Sequence, residues 1–175
     1  MVFLDESGYL LQPLRRRVWS PKGRTPIQHA WDRHDRISAL AAISRAPWAD
    51  RLGLYYKLLD HNAHTEDLVT FLREVHDHLR RPIILVCDRL SAHRSAVRHL
   101  YEAGADWLQV EWLPAYAPDL DPVEDVWAQS KYGTLANFIP DDIEQLHKVL
   151  DRVLDTYRHE PNRLHSFFHA AHLPE

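Results

Sequence analysis

Three acidic residues could do chemistry together, because each stands where an unpaired charge is costly. Asp5 lies within the apolar stretch VFLDESGY, Asp88 ends the apolar run IILVCD, and Glu124 falls in the first turn of a predicted helix after DLDP. An acid so placed needs a cation or a hydrogen-bond network to offset its desolvation. Carboxylates suit Mg²⁺, and a pair of such ions can activate one oxygen and stabilise another in phosphodiester cleavage. We therefore expect a divalent-metal site.

The stretch LPAYAPDLDPVEDVW, residues 113–127, also has a simpler interpretation. Asp121, Pro122 and Glu124 fit the N-cap, the first and the third position of a helix, so the two acids could form a capping box. Asp119 and Asp125 add negative charge that suits the helix dipole. Taken alone, this stretch favours a well-formed helix start over a reactive site.

The elements that must position these acids follow from hydrophobic periodicity and turn signals. Strands are predicted at residues 2–11, 36–44, 52–60, 82–88 and 106–113. Helices are predicted at 65–79 with Thr65 as N-cap, at about 95–102, and at 122–136, 141–159 and 163–172. This order predicts an α/β fold, a mixed sheet with helices on both faces and its later strands parallel. Asp88 would then lie at the carboxyl end of a parallel strand, where functional groups collect.

Composition bounds the class of protein. The chain has 175 residues, 45% of them hydrophobic, which fits one domain with a helical extension and argues against disorder. It has no apolar run of about 18 residues, which argues against a membrane span. The first residues lack the basic start of a signal peptide, so we expect an intracellular protein. The single cysteine, Cys87, cannot form an internal disulfide and is expected to be a buried thiol.

A basic segment stands out against the net charge of −4, which gives no global attraction to nucleic acid. It spans residues 14–24, contains no acid and includes Trp19; Trp31 lies a little further on. Its cations are Arg15, Arg16, Arg17, Lys22 and Arg24. Such a segment could follow a phosphate backbone, and a solvated charged turn explains it equally well.

Other chemistries have weaker signals. His165, His169 and His172 would share one helical face, but no cysteines accompany them, and exposed titrating histidines explain them better than zinc. No Ser-His-Asp arrangement can be argued from residue order. The sequence has neither a glycine-rich phosphate loop nor a dinucleotide fingerprint.

Three motifs carry a family resemblance: FLDESGY, LVCDRLSAH and WLPAYAPDLDPVEDVW. In order and along essentially the whole chain, they resemble the acidic motifs of DDE transposases of the mariner and bacterial insertion-sequence superfamily. The 35 residues between Asp88 and Glu124 are close to that group's short spacing. The resemblance implies a ribonuclease H-like five-stranded mixed sheet flanked by helices, with residues 1–175 as one catalytic domain and C-terminal helices within 141–170. It further implies Asp5, Asp88 and Glu124 as ligands of two Mg²⁺ or Mn²⁺ ions, with His93 matching a histidine that often follows the second acid.

The implied activity is metal-dependent DNA cleavage followed by attack of the freed 3′-hydroxyl on target DNA. Transposon ends and target DNA would be its partners, within a homodimer in a prokaryotic cytoplasm, associated with the nucleoid. Two departures from the family pattern matter. Arg89 replaces the usual asparagine after the second acid, where it could contact phosphate or mark weakened catalysis. The resemblance begins at the first acidic motif and includes no N-terminal helix-turn-helix region, so we expect a separate chain to read the ends. The alternatives are a nuclease without strand transfer and an inactive remnant that binds DNA or a partner.

Overall fold

A mixed sheet of five strands forms the centre of the computed structural model, which describes residues 1–12, 14–27, 29, 35–47 and 51–173. The strand order is β3-β2-β1-β4-β5. The strands are β1 (Val2–Leu10), β2 (Arg36–Arg45), β3 (Leu52–Leu59), β4 (Ile83–Cys87) and β5 (Leu108–Trp112). The first three pair antiparallel, whereas β4 runs parallel to both β1 and β5. The predicted mixed sheet with parallel later strands is confirmed.

Helices cover both faces of this sheet. They are α1 (Thr65–Leu79), α2 (Ser91–Glu102), α3 (Pro122–Ala128), α4 (Ile143–Arg158) and α5 (Pro161–Ala170). One apolar cluster joins the sheet to α1 and α2, and a second joins it to α3, α4 and α5. No helix within the described ranges is both long and apolar enough to cross a membrane.

Strand β1 supplies side chains to both clusters, because successive residues of a strand point to opposite faces. Phe3 and Tyr9 pack in the cluster beneath α3, α4 and α5, whereas Val2 and Leu4 pack in the cluster beneath α1 and α2. The same alternation continues through the polar middle of the strand. It therefore places Asp5 on the face of α3 and Glu6 on the face of α2.

Three details of the predicted helices were wrong. Helix α1 has His64 rather than Thr65 as its N-cap, and the Asp67 carboxylate accepts the His64 backbone N–H at 2.9 Å. Helix α2 begins at Ser91, earlier than the predicted start near residue 95. The helix predicted over 122–136 is α-helical only to Ala128 and continues as a π-helix over Gln129–Thr134.

Candidate active site

The pairing of β1 with β4 brings the first two acids to one edge of the sheet. Phe3 pairs with Val86 in parallel register, so continuing both chains by two residues sets Asp5 beside Asp88. Helix α3 follows the loop that leaves β5, and its first turn contributes Glu124. Sheet topology therefore brings to one place residues that are far apart in sequence.

Asp5 is held by a tryptophan from the helix above it. The Trp127 indole Nε1–H donates to Asp5 Oδ2 at 2.8 Å, and the indole itself is buried in the core. Burial, together with the negative charges of Glu124 and Glu6, raises the pKa of Asp5 to about 7. Asp5 is thus a fixed, poorly solvated carboxylate with like charges around it.

Asp121 caps helix α3, as its position directly before Pro122 predicts. Its Oδ1 accepts the Val123 backbone N–H at 2.9 Å, and only 5% of the residue is exposed. Burial raises the pKa of Asp121 to about 8, and the charges of Asp5, Glu124 and Asp88 act in the same direction. The cap residue therefore belongs electrostatically to the same cluster as the three predicted acids.

Glu124 does not complete a capping box. The backbone N–H of Asp121, which a box would give to the Glu124 carboxylate, donates instead to Pro118 O at 2.9 Å. Glu124 is exposed, and burial of its carboxyl group still raises its pKa, with Lys131 opposing the rise and Asp88 adding to it. Its carboxylate is thus available to an external cation.

A buried histidine ties Asp88 to the neighbour of Asp5. His93 Nδ1 lies 2.5 Å from Asp88 Oδ1, and His93 Nε2 lies 2.6 Å from Glu6 Oε2, while the imidazole is 0% exposed. Burial alone would lower the pKa of His93, but the two carboxylates outweigh it and raise the pKa to about 9. Both ring nitrogens therefore donate, and the cation fixes two acids at once.

The Asp88 carboxylate also closes the loop between β4 and α2. Its Oδ1 accepts the Leu90 backbone N–H at 3.0 Å in addition to the His93 bond. That oxygen is therefore fully engaged on the α2 side. The exposed Arg89 lies in the same loop, beside the acidic edge.

Sequence reasoning missed a lysine that faces the acids. Lys131 Nζ donates to Ser7 Oγ at 2.6 Å and sits 5.0 Å from the centroid of the Tyr9 ring. Burial lowers the pKa of Lys131, while the charges of Glu124 and Asp5 oppose the decrease. Lys131 follows Glu124 by seven residues, which places both side chains on one face of a continuous helix. This spacing could have predicted from the sequence that Lys131 lies near the acids.

The lysine is carried by the π-helix, where Leu135 N donates to Ser130 O at 2.8 Å across five residues. Such insertions are frequent at functional sites. Beneath it, Ser130 Oγ is 2.5 Å from the Tyr9 hydroxyl, and both groups are buried. The widened turn is thus anchored to β1, the strand that holds Asp5.

The acids influence one another electrostatically, but their carboxylates do not converge on a single metal-binding position. Among the residues that the structure describes, no three His, Cys, Asp or Glu side chains lie near enough together to hold a metal ion. The donor chemistry nevertheless fits a hard divalent cation, because the pKa values of Asp5, Asp121 and Glu124 are all raised by burial and by neighbouring negative charges. Within the same described residues, His165, His169 and His172 likewise do not form a group that could hold a zinc ion.

Comparison with known proteins decides the family. The sequence pattern of the DDE superfamily endonucleases matches residues 1–147. The chain belongs to that family. No curated protein matches this chain.

The fold of this DDE superfamily member is also that of solved transposase complexes. The crystal structure of the Mos1 strand transfer complex has a TM-score of 0.67 at 20% identity, covering 98% of this chain and 50% of that one. The crystal structure of the mariner Mos1 paired end complex with Mg has a TM-score of 0.66 at 21% identity, covering 98% and 53%. The chain therefore spans about half the length of the structures it matches. The predicted ribonuclease H-like α/β fold is confirmed.

The basic segment of this DDE domain lies close to the π-helix. The Arg16 backbone N–H donates to Asn137 Oδ1 at 2.8 Å, and Arg16 Nη1 donates to Tyr132 O at 2.6 Å. Part of the hydrogen-bonding capacity of Arg16 is thus used within the fold. Trp19 is 103% exposed. The remaining predicted DNA contacts here, all exposed, are Arg15, Arg17, Lys22 and Arg24. Trp31 lies outside the described residues.

Proposed function

We propose that residues 1–175 form one catalytic domain that cleaves DNA strands and joins the freed 3′-hydroxyl to target DNA during transposition. The observation that carries this proposal is the cluster of desolvated carboxylates around Asp5 at the edge where β1 and β4 run parallel. Family membership supplies the endonuclease class. Strand transfer draws support from the solved complexes with the same fold.

In this proposal Asp5, Asp88 and Glu124 hold two Mg²⁺ or Mn²⁺ ions. When bound, such a pair activates the attacking oxygen and stabilises the leaving oxygen. Trp127 fixes the Asp5 carboxylate from one face of the sheet, and His93 fixes the Asp88 carboxylate from the other. Asp88 Oδ2 accepts no hydrogen bond from the described residues, which leaves it for a cation. His93 is therefore a positioning residue rather than a ligand.

DNA would approach from the acidic edge, flanked by cations on two sides. Arg89 stands in the loop after Asp88, and the basic segment of residues 14–24 is tied to the π-helix next to Lys131. These cations offset phosphate charge that the acids alone would repel. Transposon ends and target DNA are the proposed ligands, with a homodimer and a separate end-recognition chain as proposed partners. A nucleoid-associated place in a prokaryotic cytoplasm belongs to the same proposal.

The deciding experiment compares Asp88→Asn with wild type and with Asp106→Asn, a control that removes an exposed carboxylate away from the cluster. Nicking of supercoiled DNA in Mn²⁺ should vanish in Asp88→Asn and persist in the control. Circular dichroism should show the same fold in all three proteins. Unchanged nicking by Asp88→Asn refutes the assignment. Joining of precleaved 3′-ends to a second DNA distinguishes a transposase from a nuclease that only cleaves.

A second candidate is a non-catalytic remnant that binds DNA or a partner chain. It is favoured by the open arrangement of the acids in the described part of the chain and by Arg89 beside Asp88. Titration calorimetry with Mn²⁺ separates the two functions. A remnant gives no heat that depends on Asp5 and Asp88, whereas the catalytic domain loses most of its Mn²⁺ binding when either is changed to asparagine.

A further inference from the structure

Tyr116 has a backbone conformation that its side chain disfavours and that the fold does not explain. Its φ is 59°, in the left-handed region, where a bulky residue is a steric outlier. Three other described non-glycine residues share a positive φ: Arg80, Asn137 and His172. Arg80 and His172 stand at the ends of helices, where a left-handed residue closes the helix, and asparagine is a residue type that tolerates this conformation. Tyr116 stands in a loop before a short 3₁₀ turn instead.

The strain is not offset by packing. Tyr116 is 104% exposed, so its ring contacts nothing in the described part of the fold. In a buried tyrosine, apolar contacts of the ring could offset the unfavourable backbone conformation, but the exposed ring of Tyr116 makes none. Strain that persists without structural benefit is characteristic of sites that hold a side chain ready for a ligand.

The loop that carries Tyr116 is held firmly at both ends. Leu113 N donates to Cys87 O at 2.9 Å, which extends the pairing of β5 with β4 up to the residue before Asp88. On the other side, Leu120 N donates to Ala117 O at 3.2 Å in the turn that leads into α3. Three residues of chain span at most about 11 Å, so Tyr116 lies within that reach of Leu113, on the side of the sheet where β4 ends.

We propose that Tyr116 stacks on a base of the DNA strand held at the acidic edge. This inference rests on the proposed function, because it gives the same DNA a second contact. A single exposed ring between prolines does not make an apolar patch of the size that protein interfaces need. A nucleobase needs only one flat π-face, and stacking on it tolerates any sequence.

The test uses the whole chain and a short duplex with a single-stranded 3′-overhang that carries 2-aminopurine, whose fluorescence is quenched by stacking. Tyr116→Phe keeps the ring, whereas Tyr116→Leu keeps a bulky strained residue and loses the ring. Tyr116→Gly removes both the ring and the strain. Tyr101→Leu, on the exposed end of α2, is the matched control for the loss of a surface tyrosine.

Wild type, Tyr116→Phe and the control should bind the overhang equally and alter its fluorescence. Tyr116→Leu should bind roughly 10-fold more weakly and lose the fluorescence change, since one base–aromatic stack is removed. Tyr116→Gly should lose the signal as well, yet melt at a higher temperature than wild type because glycine accepts positive φ. A structural role for the ring would lower that melting temperature instead.

Three results would overturn the inference: full binding and quenching by Tyr116→Leu, loss of the signal in Tyr116→Phe, or a lower melting temperature for Tyr116→Gly. The nicking and binding of wild type test the proposed function separately. If wild type nicks DNA in a manner that depends on Asp88 while Tyr116→Leu binds like wild type, only the stacking contact is wrong. If wild type neither nicks nor binds DNA, both proposals fail.

Discussion

Replacing Asp5 by asparagine should stabilise the metal-free protein at mildly alkaline pH while abolishing any metal-dependent activity. Asparagine keeps an oxygen acceptor for the Trp127 indole N–H, which lies 2.8 Å from Asp5 Oδ2. It removes the negative charge that Glu124 and Glu6 repel. The substitution thus separates the packing of this side chain from its charge.

The magnitude follows from the raised pKa of Asp5, about 7 against an ordinary value of 3.8. Because the folded protein holds this proton more tightly, the stability it contributes is complete below the unfolded value and is lost as the pH rises through about 7. The full shift corresponds to about 4 kcal/mol. Coupling to Asp121, whose pKa is also raised, reduces the part that belongs to Asp5. We expect Asp5→Asn to raise the free energy of unfolding by about 2–4 kcal/mol at pH about 8.

Urea denaturation in EDTA measures this at two pH values. The advantage of Asp5→Asn should be present near pH 8 and nearly absent at about pH 3, where the wild-type carboxyl is mostly protonated in both states. Added Mn²⁺ should then stabilise wild type and leave Asp5→Asn unchanged, because only the protein with a complete ligand set gains binding energy. A variant as stable as wild type, or less stable, near pH 8 would refute the view of Asp5 as a desolvated, repelled carboxylate.

Two further substitutions probe the cations of the site. His93→Gln removes the buried imidazolium shared by two carboxylates, so each acid loses its charged partner. Urea denaturation near neutral pH should show a free energy of unfolding lower by about 3–5 kcal/mol. A loss below about 1 kcal/mol, typical of exposed ion pairs, would contradict this prediction. Lys131→Met should tighten Mn²⁺ binding several-fold in calorimetry, since a positive charge next to the acids is removed, and Arg152→Gln on the exposed side of α4 should not. Unchanged or weaker Mn²⁺ binding by Lys131→Met would place the lysine outside the field of the site.

The order and faces of the elements were predictable from sequence because they depend on local patterns. The buried run of β4 and the amphipathic α1 were found close to their observed bounds. The start of α2 was not, since no side-chain cap marks it. That helix begins after Leu90, whose backbone N–H is taken by the carboxylate of Asp88. A side chain that precedes the helix, that of Asp88, thus replaces the usual capping signal for a helix start.

The site was predictable only in part, because the sequence shows which residues are acidic but not which face of the sheet, and which helix, each side chain meets. Desolvation and the family resemblance pointed to Asp5 and Asp88 as candidates, but neither indicates which neighbouring side chain holds each carboxylate. Glu6 reaches His93 because it points away from Asp5, to the opposite layer of helices. Trp127 is buried in the core, yet its indole N–H reaches Asp5. Such partners depend on the packing of helices on the sheet, which one sequence does not reveal.

The distribution of charge at the acidic edge argues that this site is maintained for a ligand and not for stability. Donors from two helical layers hold Asp5 and Asp88, one through Trp127 and the other through His93. Asp121 gains a backbone hydrogen bond but remains buried among like charges, so its pKa is raised to about 8. A cap of neutral serine or asparagine would serve α3 as well without that repulsion. The surplus of carboxylates therefore supports the proposed binding of a divalent cation from outside the chain.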